Sequence, residues 1–341
     1  MEKMEAVVFT EANKFEMREL TLKDMGPHDI SVRTLVTAVS PGTERWILKG
    51  KHAGTRFPCV PGYHRIGIVE KCGGRVKDLH PGDIVYGGGG GWQEDLFSMW
   101  GAHCSYSVED AAGCRFISSF LPDKAELETT VFTMASAVGY KGIRFLEIKG
   151  GEKILIIGAG FIGLCAAQLA VLKNAFPVFM ETNSDRIAFA KELGFRAWNP
   201  GDKGFDRAMK EFAPEGTDAI YDTAGVAPAV DIAVKYAGRW SRLLLQAQYF
   251  DRNNAIDIDG IKMKEMTIKT TCGVDSGDWD SAFTEIRKRR LRIDSLITHR
   301  FLSAECLRGY EMLLEGKPFN LGIVFFWDRD LIERHSQTTG R

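Results

Sequence analysis

The chain has 341 residues, 45% of them apolar and 26% charged, with a formal net charge of −1. That length exceeds what one hydrophobic core usually serves and predicts two domains. The balance of charge argues against a nucleic-acid partner and the apolar content against a disordered chain; the basic run Arg287 to Arg290 reads as the solvated face of a helix. Seven scattered cysteines, none in a Cys-x-x-Cys pair, predict reduced thiols and a cytoplasmic protein, and the opening residues lack the apolar stretch of a secretory signal.

In chain order, residues 5–10 and 28–39 alternate as half-buried strands do, with the turn Gly26-Pro27 between them. Ser40-Pro-Gly-Thr-Glu44 reads as a loop leading into a short helical segment, Arg45 to Lys49. Further strands are expected over 62–70, over 79–86 after a turn, and near 104–108, with the pentaglycine Gly87 to Gly91 opening a loop before the last. Short strands with Pro-Gly turns predict a β-rich barrel or sandwich domain over 1–125. From Glu126 onward, helix-period segments alternate with apolar runs at 154–157, 177–181, 219–222, 243–247 and 267–271. That alternation predicts an α/β fold with a doubly wound parallel sheet over 126–299. A helix from Ala304 to Leu314 and a strand from Gly322 to Phe326 follow, and 300–341 is assigned to the first domain; the polar stretch Leu331 to Arg341 receives no role.

The most informative stretch runs from Ile154 to Ala170, a β-branched run, a glycine turn and a helix-period segment in direct succession. Gly158, Gly160 and Gly163 form a Gly-x-Gly-x-x-Gly fingerprint around Phe161 and Ile162. The first glycine suits a sharp turn, the second lets backbone approach a pyrophosphate, and the third lets helix pack on strand. Glu181 ends the next apolar run, where a carboxylate binds a ribose 2′-hydroxyl and repels the extra phosphate of NADP. NAD is therefore the expected cofactor and NADP the less expected one. Thr182 follows without offering a cation, and Arg186 is the nearby cation that weakens the preference. Asp218 to Gly225 reads as a fourth strand whose end, Thr223 and Ala224, faces the cofactor. A membrane span over 154–172 is disfavoured by three glycines and Gln168, so no membrane partner is expected.

The order of motifs resembles the medium-chain dehydrogenases/reductases, the superfamily of alcohol, sorbitol and threonine dehydrogenases. The resemblance rests on Pro-Gly-Thr-Glu (41–44), Val-Pro-Gly-Tyr-His-Arg-Ile-Gly (60–67), Pro-Gly-Asp-Ile-Val (81–85), Gly-Ala-Gly-Phe-Ile-Gly (158–163), Asp-Thr-Ala-Gly (222–225) and Ile-Thr-His-Arg-Phe (297–301). It implies a GroES-like catalytic domain, a Rossmann NAD-binding domain, a hydroxylated small-molecule substrate and a homodimer or homotetramer. This chain departs from the zinc-dependent members at their ligand positions. Pro41 stands for the first ligand, Tyr63 for the second, and Val131-Phe-Thr-Met-Ala135 covers the third. A catalytic zinc needs about three protein ligands, so none is expected, nor a structural zinc, since the lobe after the pentaglycine holds only Cys104 and Cys114. An opposing set of His52, His64, His103 and a cysteine lacks ligand spacing.

Thr43 aligns with the proton-relay hydroxyl of the resembled family. Tyr63 or His64 is the expected acid/base, with Glu44 orienting it; alternatively Tyr63 fills the space of the metal while His64 pairs with Glu44, leaving Thr43 and water. Polar residues of the loops, among them Arg45, Lys49, His52, Arg56, Arg65 and Gln93 to Asp95, either bind hydroxyls or an acid, or are solvated. Trp92 and Trp100 either wall a sugar ring or pack their lobe. The expected reaction is NAD-dependent, zinc-independent oxidation of a secondary alcohol of a polyol, sugar or cyclitol, or reduction of the matching ketone. The alternatives are a hydroxyethyl bacteriochlorophyllide-type dehydrogenase, which the zinc-lacking pattern also resembles, an NADPH-dependent quinone or enoyl reductase, and a non-catalytic cofactor-binding protein.

Overall fold

The computed structural model describes residues 2–250, 254–317 and 319–328, so the stretch from Leu331 to Arg341 lies outside the described residues. The chain divides into two compact units, Met1–Phe132 with Leu296–Arg341, and Thr133–Ser295. These divisions fall seven residues later and four earlier than the boundaries expected at 125 and 300. The first shift follows from a bidentate pair: the Arg300 guanidinium donates to Glu128, which ties the helix holding Glu128 to the strand holding Arg300.

The first unit contains β1 (Lys3–Glu11), β2 (Lys14–Thr21), β3 (Asp29–Val39), α1 (Pro41–Leu48), β4 (Cys59–Val60), β5 (His64–Cys72), β6 (Ile84–Gly87), β7 (Phe97–Ser98), β8 (Tyr106–Asp110), β9 (Arg115–Ser118) and α2 (Lys124–Thr130). One sheet runs β2-β1-β4-β7. In the other, the first half of β3 pairs with β8 while Val36 to Val39 pair with a strand from the chain's end, and β5, β6 and β9 continue on the other side. Flanked along its whole length, β3 is buried on both faces, so Ser31, Thr34 and Thr37 are enclosed together with its apolar residues although its sequence alternates. Strand β2 had no clear apolar signal: Lys14, Glu16 and Arg18 break it, and register with β1 makes it a strand.

The second unit contains α3 (Thr133–Phe145), β10 (Lys153–Ile157), α4 (Phe161–Leu172), β11 (Phe176–Met180), α5 (Ser184–Glu192), β12 (Arg196–Trp198), α6 (Phe205–Phe212), β13 (Thr217–Asp222), α7 (Ala227–Lys235), β14 (Ala237–Leu245), α8 (Ile258–Met263), β15 (Thr267–Thr270) and α9 (Ser276–Arg287). Its six strands are parallel in the order β12-β11-β10-β13-β14-β15. That is the doubly wound dinucleotide-binding order, whose switch point lies between β10 and β13. Helix α4 is apolar around most of its circumference because it is buried around most of it. No helix among the described residues is long and apolar enough to cross a membrane. The chain then returns to the first unit as β16 (Ile297–Leu302), α10 (Cys306–Glu315) and β17 (Gly322–Phe326).

Candidate active site

In the second unit the glycine turn sits at the switch point of the sheet. Gly158 has φ +94°, a left-handed conformation that glycine adopts without strain, and its N–H donates to the Met180 carbonyl at 2.9 Å. A Cβ on Gly163 would stand 2.2 Å from the Gly158 carbonyl oxygen, so helix and turn meet only because the third glycine has no side chain. A Cβ on Gly160 would meet nothing nearer than an Arg186 nitrogen at 3.8 Å, leaving open backbone beside a guanidinium. Phe161 and Ile162 open α4, whose first-turn N–H groups lack intrahelical partners. Open backbone, helix N-terminus and nearby cation together fit a pyrophosphate.

Glu181 is 8% exposed and held in place by backbone: its carboxylate accepts from the N–H groups of Ala159 (2.9 Å), Thr182 (2.7 Å) and Asn183 (2.9 Å). Arg186 lies 3.9 Å from the same carboxylate. Across the switch point the Thr223 hydroxyl donates to the Ile157 carbonyl at 2.8 Å, joining the ends of β10 and β13. Ala224 and Gly225 donate backbone N–H to the buried Asp222, whose carboxyl is pushed up by burial.

In the first unit, α1 starts at Pro41, four residues before the expected helical segment, because proline suits the first helical position. Ser40 is the N-cap residue, yet its hydroxyl does not cap. It lies 2.6 Å from the Tyr63 hydroxyl, with Thr43 Oγ1 3.4 Å from the same oxygen. The N–H of Ser40 instead donates to Glu44 at 2.8 Å, which leaves the serine hydroxyl for the phenol. Burial pushes the Tyr63 phenol up, against the Ser40 and Thr43 hydrogen bonds, which lower it.

The expected role of Glu44 needs correction. Fully buried, it accepts from Ser40 N–H, from the Tyr310 hydroxyl at 2.7 Å and from His103 Nε2 at 3.1 Å, and it bonds neither Tyr63 nor His64. His103 Nδ1 lies 2.9 Å from Thr37 Oγ1, which also accepts from Trp327. Glu44 therefore holds Ser40, and only through it Tyr63. Gly62, at φ +96°, leaves no room for a Cβ beside the His103 ring, so the same network braces the backbone just before Tyr63.

His64 is enclosed behind Tyr63, their ring centroids 4.2 Å apart, with Phe132 on another side at 6.2 Å. Its Nδ1 bonds the Tyr86 hydroxyl at 2.9 Å, while its buried Nε2 has no partner among the described residues. Burial, with His103 nearby, lowers its pKa to about 3, so the ring is neutral. Of the two expected acid/base candidates, Tyr63 is the partly buried one and bonds two hydroxyls, while His64 is fully buried behind it with Tyr86 on its Nδ1.

Arg65 leaves the substrate list: it is fully buried, pairs with Glu109 and donates to Ser107 and the Gly89 carbonyl. The inward-pointing second face of β5 decides this, which local polarity did not reveal. Trp92 leaves it too, since its indole donates to the Leu96 carbonyl and packs on the core beneath β1 and β2. Gln93 and Glu94 bind β2 and its end through Leu22 and Thr21. Trp100, 41% exposed, instead stands edge-on to Tyr63 at 5.3 Å and contacts the His52 ring at 5.8 Å. Arg45 lies on α1 with its Nε enclosed and without a partner among the described residues. Sequence reasoning missed Ser40 and Tyr310 and weighed His103 only as a metal ligand; Ser40 was visible as an N-cap type before a proline, whereas Tyr310 carried no local signal.

The histidines of the opposing metal set are separately engaged: His52 against Trp100, His64 with Tyr86, His103 with Thr37 and Glu44. Among the described residues no three His, Cys, Asp or Glu side chains are grouped to hold a metal ion. Pro41 offers no donor atom, and Tyr63 offers a protonated phenol already bonded to two hydroxyls. These residues do not fit a catalytic zinc.

Comparison with known proteins matches residues 26–118 to the alcohol dehydrogenase GroES-like domain and 162–288 to the zinc-binding dehydrogenase domain. A 2-desacetyl-2-hydroxyethyl bacteriochlorophyllide A dehydrogenase of Rhodobacter capsulatus is 26% identical, over 90% of this chain and 92% of its own. A D-xylulose reductase of Saccharomyces cerevisiae is 22% identical over 90% and 93%. The solved 2R,3R-butanediol dehydrogenase of Bacillus subtilis shares the fold with a TM-score of 0.81 at 17% identity, over 95% of this chain and 99% of that one. The chain belongs to the medium-chain alcohol dehydrogenase superfamily and is an oxidoreductase that acts on alcohol groups.

Proposed function

We propose that the protein interconverts a secondary alcohol of a polyol, sugar or cyclitol with the matching ketone, using NAD and no zinc, with Tyr63 as the acid/base. The observation that carries this reading is the Tyr63 phenol, bonded to Ser40 and Thr43 at a position where zinc-dependent members hold a metal ligand. Gly158 to Gly163 and Glu181, with Arg186 and Thr223 beside them, would hold NAD, which would supply or accept the hydride. In the reducing direction Tyr63 donates its proton to the carbonyl oxygen, and the Ser40 and Thr43 hydroxyls donate to the phenolate left behind. In the oxidising direction the proton runs back.

Glu181 supports NAD over NADP, because a carboxylate fixed by three backbone N–H groups cannot turn away from a 2′-phosphate. Arg186, adjacent to Gly160, is placed to offset pyrophosphate charge. The protein would work as a homodimer or homotetramer, as members of the superfamily commonly do. A hydroxyethyl-bearing substrate is the second reading; identity to the bacteriochlorophyllide dehydrogenase favours it, and the same Tyr63 chemistry serves it.

Tyr63→Phe tests the assignment. Turnover with NAD and a reactive polyol should fall about 100-fold or more while NADH affinity is retained. Because the phenol is held above its ordinary value, ketone reduction should stay level through neutral pH and decline only in strongly alkaline solution, as the acid is lost. Unchanged turnover in the Phe variant sinks the role of Tyr63.

A further inference from the structure

Five basic residues, Arg45, Lys49, Lys51, His52 and Arg56, lie within twelve positions of the chain that contain no acid. Among the described residues, Arg45, Lys49, Lys51 and Arg56 have no carboxylate partner. Arg45 and Lys49 are four apart on α1, a spacing at which like charges repel. Burial, with Arg45 and Lys51 beside it, lowers the Lys49 ammonium below its ordinary value. Lys49 and Lys51 both stand over the Trp46 ring, 5.9 and 5.6 Å from its centroid.

This patch has a fixed relation to Tyr63. Glu44, Ile47 and Leu48 form the buried side of α1, leaving Thr43, Arg45, Trp46 and Lys49 only partly covered. Thr43, which reaches the Tyr63 hydroxyl, lies three residues before Trp46, so the two share a side one turn apart, about 5 Å along the axis. From the other direction, His52 contacts Trp100, and Trp100 contacts Tyr63. The dipole at the end of α1 favours a cation there. Arg45 lies in that last turn too; what the dipole leaves unexplained is its enclosed Nε, which has no partner among the described residues.

We propose that the substrate carries an anionic group, a phosphate ester or a carboxylate, held by Arg45, Lys49 and Lys51 at the C-terminal end of α1, beyond the carbinol that faces Tyr63. The inference rests on the Tyr63 reading and narrows its substrate class from neutral polyols to polyol phosphates or sugar acids. Arg45 offers a planar fork to paired oxygens, and the two ammonium groups add point charge. The Trp46 ring beneath them keeps both near one place.

The test compares a neutral polyol, its monophosphate ester and the corresponding aldonate, matched in stereochemistry at the reacting carbon, on the wild type, R45Q and K49Q. In the wild type one anionic form should exceed the neutral form at least tenfold in kcat/KM. That preference should fall at least tenfold in each variant, chiefly through KM, and weaken in the wild type as salt is raised. Preference for the phosphate or for the aldonate identifies the anion. Equal kcat/KM for all three forms, or a preference unaltered by R45Q and K49Q, overturns the inference and leaves the Tyr63 reading standing. Turnover of none of them counts against the Tyr63 reading. Equilibrium titration of tryptophan fluorescence with the phosphate ester and the aldonate then decides the anion question: saturable binding lost in R45Q supports it, and binding absent or unaltered overturns it.

Discussion

The cofactor turn of the second unit and the hydroxyl cluster of the first are built in opposite ways. The turn is backbone: Gly158 and Gly163 are needed for what they lack, and even Glu181 is positioned by three N–H groups of its own surroundings. The cluster is side chain on side chain: Tyr63 is set by Ser40 and Thr43, and Ser40 by a buried Glu44 that Tyr310 and His103 reach from distant parts of the chain. A backbone-built site should be sensitive to added atoms, and a side-chain-built site to removed ones.

Removing one carboxylate gives the largest expected effect. Glu44→Ala leaves the Tyr310 hydroxyl, the His103 ring and Ser40 N–H without their common acceptor in a fully buried setting. Breaking such a buried network costs about 3–5 kcal/mol, read as a lowered urea midpoint, and turnover should fall with it because Ser40 is released. A loss of unfolding free energy below about 1 kcal/mol would show that the network is idle. Adding one methyl is the counterpart: Gly163→Ala places a Cβ 2.2 Å from the Gly158 carbonyl, and affinity for NADH should drop about 100-fold in a fluorescence titration. Retained affinity would mean that the turn yields more readily than its contacts imply.

The third test uses the histidine behind Tyr63. In the unfolded chain its imidazole takes up a proton below pH 6.5, whereas in the fold it stays neutral down to about 3. Its burial thus costs nothing above pH 6.5 and draws down stability as the pH falls from there. At pH 4.5 the loss is about 2–3 kcal/mol, a factor set by two units of pKa. His64→Asn, which retains a polar atom for Tyr86, should lack that part of the acid-side decline when unfolding is measured at pH 7 and pH 4.5. Parallel curves for wild type and variant would refute the neutral, enclosed histidine.

Neighbouring residues were enough to reveal the cofactor turn. A strand, three glycines and an acid after the next strand are contiguous, and their physical requirement is local: a positive φ, an open backbone and a close helix. The strands of the parallel sheet were visible for the same reason, whereas β2 and β12 were not, because register with a neighbour made them strands. In the substrate region, chain proximity misled. Glu44 adjoins Thr43 in sequence yet serves His103 and Tyr310, Arg65 follows His64 yet turns inward to Glu109, and Trp92 packs a core while Trp100 meets Tyr63.

The α/β architecture, the dinucleotide fingerprint and the acid that follows it were legible in the residue pattern alone. Which polar side chains meet was instead a matter of long-range packing. A hydrogen bond between residues 266 apart, such as that from Tyr310 to Glu44, is set by how sheets and helices pack, and neither residue carries a local trace of the other.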